Sequence, residues 1–201
     1  MTPQRFTGQN ELIRFAKEFI TARIEALEKD VAHCLREPYA PFPAIIYCFA
    51  TVELLSALYA GDASKKAHTS QQAINYMCHF MHYTDEQTKL LMAIFRHQIV
   101  HLVQPNAVSK YIDKKVAWRY WHDNREQHLK LTKLKEPVQR QLTSSWVVIA
   151  DHEFEISIAH FVKDIAVSVQ EPGGYLQSLT TDSNLQVRFE KALSEIYGNG
   201  S

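Results

Sequence analysis

The chain has 201 residues, 46% hydrophobic and 22% charged, with 22 Lys and Arg balancing 22 Asp and Glu. This composition excludes a disordered or collagen-like chain and a disulfide scaffold, and the length suffices to bury about two-thirds of the unfolded surface without cross-links or metal. Zero net charge argues against a protein that coats duplex DNA, which is usually basic.

Charge is unevenly spread. Residues 1–108 hold ten basic and ten acidic residues, 109–140 hold nine and four, and 141–201 hold three and eight. The middle segment is therefore +5 (nine minus four) and the last −5 (three minus eight). Six glycines and seven prolines are few for a chain of many tight β turns and favour helices.

In chain order, Leu12, Phe15, Phe19, Ile20, Ile24, Leu27, Val31 and Leu35 recur at helical spacing and predict a long helix over 9–37, ended by Glu37-Pro38. Residues 44–60 predict a second helix, apolar on nearly all sides and hence central, with Gly61 as its C-terminal cap. The stretch Phe42–Ala60 has the length of a membrane span, but Glu53 within it is costly in lipid, so a buried helix and no membrane association are expected. Ser70 is read as the cap of a third helix running to about Tyr83. Thr84 and Gln87 form a capping-box pattern for a fourth, carrying Leu90, Leu91, Ile94, Phe95 and Ile99 and stopping near Gln104, before Pro105.

Four helices with short links predict an antiparallel bundle over 1–104. Residues 105–201 are read as an extension packed on that bundle in one compact domain. Residues 106–128 are aromatic and polar without regular periodicity. A small β-hairpin is expected from 144–150 and 153–156, turned by Asp151-His152, followed by a helix to about Val169, the interruption Pro172-Gly173-Gly174 and a last helix over 183–197. The expected fold class is all-α: a helical bundle with a small hairpin and extra helices in the C-terminal half.

Cys34, Cys48 and Cys78 are odd in number and read as reduced thiols. The first ten residues have no apolar core, so no signal peptide and a cytoplasmic location are expected. No GxGxxG, GxxxxGK[ST] or GxSxG motif occurs, and no cofactor is expected.

The string Arg96-His97-Gln98-Ile99-Val100-His101 carries the most chemistry. His97 and His101, four apart, share a helical face, the spacing of the HExxH zinc-protease helix. Gln98 stands where that motif needs a glutamate base, and an amide cannot take a proton at neutral pH, so the protease reading fails. A histidine metal site that adds His79 and His82 is a third-ranked reading. Arg96 and His101 suit a phosphodiester instead. A guanidinium binds phosphate oxygens bidentately, and an imidazole takes a proton from a ribose 2′-OH or protonates the leaving oxygen.

This string resembles the signature of the HEPN superfamily: an arginine, a polar residue, a few more residues and a histidine near the end of a bundle helix. The order of the preceding helices is similar as well, over roughly residues 9–104. The resemblance implies a metal-independent endoribonuclease of the kind found in toxin–antitoxin systems, phage defence and RNA processing. It also implies a homodimer with two motifs facing one cleft, and a cognate antitoxin as a partner class. Carried over, Arg96 holds the scissile phosphate, His101 is the acid–base residue, His97 fills the polar slot, and Glu53 is the second-helix acid that supports the arginine. Other members of the superfamily have lost activity, which makes a non-catalytic nucleotide-, RNA- or protein-binding module the second reading.

Residues 109–140 interleave Lys110, Lys114, Lys115, Arg119, Arg125, Lys130 and Lys133 with Tyr111, Trp118, Tyr120 and Trp121. Such a segment suits single-stranded RNA. The reading adopted is plainer: the aromatics pack on the bundle and the lysines are solvated.

Overall fold

The computed structural model describes Phe6 and residues 8–96, 114–123, 127–142 and 145–198, with the backbone alone over 140–142 and 145–148. The elements are α1 (Gln9–Cys34), α2 (Pro41–Ala60), α3 (Thr69–Phe80), α4 (Asp85–Leu91) with a π-helical segment Met92–Arg96, β1 (Val116–Trp121), β2 (Lys130–Leu142), β3 (Ser145–Ser157), α5 (Ile158–Gln170), α6 (Tyr175–Thr181) and α7 (Ser183–Ile196).

The fold is mixed α/β, not all-α: mostly helical, with one three-stranded mixed sheet in place of the expected hairpin. The strand order is β1-β3-β2, with β1 parallel and β2 antiparallel to β3. Two physical features account for the correction. First, Asp151-His152 do not turn the chain but lie within the continuous strand β3. Their polar groups work sideways: both backbone N–H groups donate to the Lys115 carbonyl, and the Asp151 carboxylate accepts from the Lys115 N–H. That clasp fixes where β1 begins, and the run Val-Ala-Trp-Arg-Tyr-Trp, rich in β-favouring aromatics, follows it. Second, β2 is lysine-rich and hides its strand character. It is an edge strand whose register shifts between Lys133 and Val138, where Pro137, which has no N–H to donate, is accommodated.

The chain divides into two compact units. The first comprises residues 1–30, 48–83 and 163–201, and the second 31–47 and 84–162, so α1, α2 and α5 contribute to both.

In the first unit, Leu12, Ala16, Ile20, Ile24 and Leu27 form the buried stripe of α1. Helix α2 buries Cys48, Phe49, Val52, Leu55 and Leu58. It is the one helix among the described residues long and apolar enough to cross a membrane, and 56% of that window is buried. Gly61 closes α2 with φ +74°, a left-handed conformation that glycine adopts without steric cost. Helix α3 starts after His68, without the expected side-chain cap from Ser70. Behind it lies a cluster of rings: Tyr59 meets Tyr76, Phe80 and Tyr175 edge-on, at centroid distances of 6.2, 5.2 and 6.4 Å. Helix α6 follows the Pro172-Gly173-Gly174 interruption, where the sequence reading had placed no element. Asp182 then caps α7 by accepting from the N–H groups of Asn184 and Leu185.

In the second unit, Leu90, Leu91, Ile94 and Phe95 are buried along with Phe154 and Ile156 of the central strand and Phe161 of α5. Pairing puts Val116, Trp118 and Tyr120 opposite His152, Phe154 and Ile156 on one face of the sheet. Arg119 and Trp121 lie on the other face, as strand alternation requires.

Candidate functional site

The helix that leads to Arg96 is anchored at its start as its sequence predicts. The Thr84 hydroxyl accepts from the Gln87 N–H at 3.2 Å, and the Gln87 side-chain oxygen accepts from the Thr84 N–H at 2.8 Å. The same Gln87 donates its amide N–H to the Leu129 carbonyl just before β2, which fastens the helix to the sheet. Helix α4 then widens into the π segment Met92–Arg96, with Met92, Ile94 and Phe95 buried. A π turn is uncommon and frequently occurs at functional sites, because it re-aims the side chains that follow. Arg96 ends this segment, half-buried.

His97 and His101 lie outside the described residues. Glu53 sits in the part of α2 that belongs to the first unit, half-buried, and Arg96 belongs to the second. His79, in the last turn of α3, stacks on Tyr59 at 5.5 Å, and His82 follows the helix with φ +56°. Among the described residues no group of three His, Cys, Asp or Glu side chains is arranged to hold a metal ion.

Beside the π segment runs a row of rings that the sequence reading did not assemble. Phe95 meets Trp118 edge-on at 6.0 Å. Trp118 stacks on Tyr120 at 5.9 Å, Tyr120 is 5.7 Å from His122, and His122 stacks on Tyr39 at 4.1 Å. Phe42 supports Tyr120 edge-on. Tyr39 and the stretch 118–123 line an open cavity of about 620 Å³ in this unit. Tyr39 comes from the proline-punctuated link after α1 and His122 from the end of β1. Period-two alternation of Trp118, Tyr120 and His122 was the available signal for part of the row; the partnership with Tyr39 had none.

The outer face of the same strand is charge-balanced. The Arg119 guanidinium donates twice to Glu153, at 3.1 and 3.0 Å, and lies 5.3 Å from the Trp121 ring centroid. The Trp121 indole N–H donates to Glu155 at 2.7 Å, and Lys114 reaches Glu86 at 3.3 Å. His152, 2.7 Å from Asp151, holds that carboxyl below its ordinary range.

A third feature is a pair of parallel imidazoles, His128 and His160, 4.8 Å apart. Burial, then the neighbouring His160, lowers the His128 pKa to about 3. His128 Nδ1 accepts the Ser157 N–H at 3.1 Å. Ser157 also caps α5: its hydroxyl accepts from the His160 N–H and donates to the Asp123 carbonyl.

The chain matches no protein-family model, no curated protein and no solved structure. The functional reading therefore stands on the residues themselves.

Proposed function

We propose that this chain is a metal-independent endoribonuclease that cleaves single-stranded RNA in the cytoplasm, acting as a homodimer. The observation that supports it is Arg96 as the last residue of the π-helical segment that follows a firmly capped helix, with the polar residue His97 next and His101 five positions on in sequence. The Arg96 guanidinium binds the scissile phosphate and stabilises the charge that builds on its oxygens. His101 takes the proton of the adjacent ribose 2′-OH. The 2′-oxygen bonds to phosphorus, the bond from phosphorus to the 5′-oxygen breaks, and a proton passes to that leaving oxygen. His97 orients the phosphate. A cognate antitoxin is the partner class that such a nuclease requires.

The test is cleavage of a mixed single-stranded RNA pool in EDTA by the wild type, Arg96→Ala and His101→Ala. Wild-type cleavage that leaves 2′,3′-cyclic phosphate ends, reduced at least a hundredfold in both variants, is expected; loss of one acid–base group costs roughly 10²–10⁴-fold. Full activity in His101→Ala overturns the reading.

A further inference from the structure

The helix that leads to Arg96 is held to the sheet at both its ends. At the far end Phe95 is fully buried and meets Trp118 at 6.0 Å and Phe154 at 6.5 Å. At the start the half-buried Gln87 side chain makes two bonds that answer different needs. Its oxygen accepts from the Thr84 N–H, which closes the cap. Its amide donates to the Leu129 carbonyl at 3.2 Å, 42 residues along the chain. The first bond is local to the helix. The second ties the helix to the turn that opens β2.

The partner of that tie is an unusual one. Leu129 is buried with φ +53°, a left-handed conformation that a bulky side chain adopts only at a cost. It is held there from two sides: its N–H donates to the Glu155 carbonyl of β3 at 2.7 Å, and its carbonyl accepts the Gln87 amide. Such geometry persists where surrounding bonds over-determine it, and it clusters at sites where position matters. Leu129 is thus the node at which the Arg96 helix, β2 and β3 meet. The other contacts of the helix fix its angle less. Burial of Leu90, Leu91 and Ile94 is a non-directional attraction. The Lys114–Glu86 pair lies at the surface, where an ion pair contributes little.

We propose that Gln87 is a positioning residue for Arg96: through its bond to Leu129 it sets the angle at which the Arg96 helix meets the sheet. The proposal rests on Arg96 being the phosphate-binding group and adds what holds that group in place. With both ends fastened, the helix cannot swing about Phe95. Without the tie it can, and a misplacement of about 1 Å at the reacting centre costs about 100-fold in rate.

Two substitutions separate the tie from the cap. Gln87→Glu keeps an oxygen for the Thr84 N–H, since glutamate serves a capping box as glutamine does, but it brings no N–H to the Leu129 carbonyl. Thr84→Ala removes the hydroxyl cap and leaves the tie. For both variants and the wild type, three quantities are measured: the urea midpoint, kcat and KM for single-stranded RNA in EDTA, and amide residual dipolar couplings, which report the orientation of residues 85–96 relative to β1 and β3. Gln87→Glu is expected to keep a midpoint near that of the wild type. Its kcat falls about tenfold or more with KM within about twofold, and its helix couplings leave the alignment they share with the sheet. Thr84→Ala lowers the midpoint and leaves kcat and the couplings unchanged. Helix couplings of Gln87→Glu that still share the alignment of the sheet overturn the proposal, and so does an unchanged kcat where the wild type cleaves. A midpoint of Gln87→Glu as low as that of Thr84→Ala makes Gln87 a merely structural residue and also overturns it. Displaced couplings in Gln87→Glu with no cleavage by the wild type remove the nuclease and leave the positioning of the Arg96 helix standing.

Discussion

The two units each gather aromatic side chains, but in opposite ways. In the first, Tyr59 and Tyr175 meet each other and both Tyr76 and Phe80 edge to face, and Tyr76 and Tyr175 are fully buried. In the second, Trp118, Tyr120, His122 and Tyr39 lie nearly parallel, with interplanar angles of 16° to 34°, and end at an exposed tyrosine. Edge-to-face contact turns a ring's positive rim onto its neighbour's negative face and consumes both surfaces. A parallel row always leaves its terminal face unused. The first arrangement serves cohesion, and the second keeps a surface on which another ring can rest.

The largest effect expected from this contrast is Tyr76→Ala. It empties the centre of the buried cluster and should lower stability by about 3–5 kcal/mol in urea unfolding. A loss below about 1 kcal/mol would mean that the cluster is not cohesive. Next is Gly61→Ala at the end of α2. A Cβ there would lie 2.8 Å from the Arg188 Cβ and 2.9 Å from its Cα, in a backbone with φ +74°. A loss of about 2 kcal/mol is expected, because neither the backbone contact nor the left-handed geometry is relieved by a side-chain rotation.

The second unit has its own sensitivity, to acid. His128 has a folded pKa of about 3 against an ordinary value of 6.5. Between these values the unfolded chain carries a proton that the folded chain lacks, so stability falls as pH drops below about 6.5, by up to about 1.4 kcal/mol per pH unit. His128→Asn keeps an acceptor for the Ser157 N–H and removes the titration. Urea unfolding at pH 7 and pH 5 should show a smaller difference for this variant than for the wild type.

Hydroxyls within the buried cluster give a finer test. The Ser168 hydroxyl donates to the Ile165 carbonyl, so the Tyr76 hydroxyl is the donor to Ser168 at 3.1 Å, and its pKa is raised by burial. The Tyr175 hydroxyl is buried with no hydrogen-bond partner among the described residues. Tyr175→Phe should therefore raise the melting midpoint, by about 1 kcal/mol in stability, whereas Tyr76→Phe should lower it by a similar amount. The smallest change in stability is expected at the exposed end of the other row. Tyr39→Ala should shift stability by no more than about 0.5 kcal/mol, as substitutions at exposed positions do.

Much of the helical structure was legible in the sequence. The Thr84–Gln87 capping box, the left-handed glycine after α2, the α1 stripe and the start of α7 at Ser183 are local devices, each written within a few residues. The sheet was not legible in the same way. β1 and β3 are parallel and their paired residues lie 36 apart, from Val116 to His152, and β2 is a lysine-rich strand with a register shift that breaks its alternation. Of the candidate site, the capped helix that carries Arg96 was readable and its expected stop near Gln104 lies outside the described residues, whereas the π turn at Met92–Arg96 was not readable, since no residue pattern distinguishes it from an ordinary turn.

By itself, then, the sequence determined most of the helices, the caps at Gly61 and Thr84–Gln87 and the chemistry available at 96–101, because those depend on neighbours three or four residues away. Only the tertiary structure decided that Asp151-His152 clasp a strand instead of turning one, and that Tyr39 completes a row begun at Trp118. Both depend on partners far along the chain, and a residue's own pattern carries no record of which distant partner it will meet.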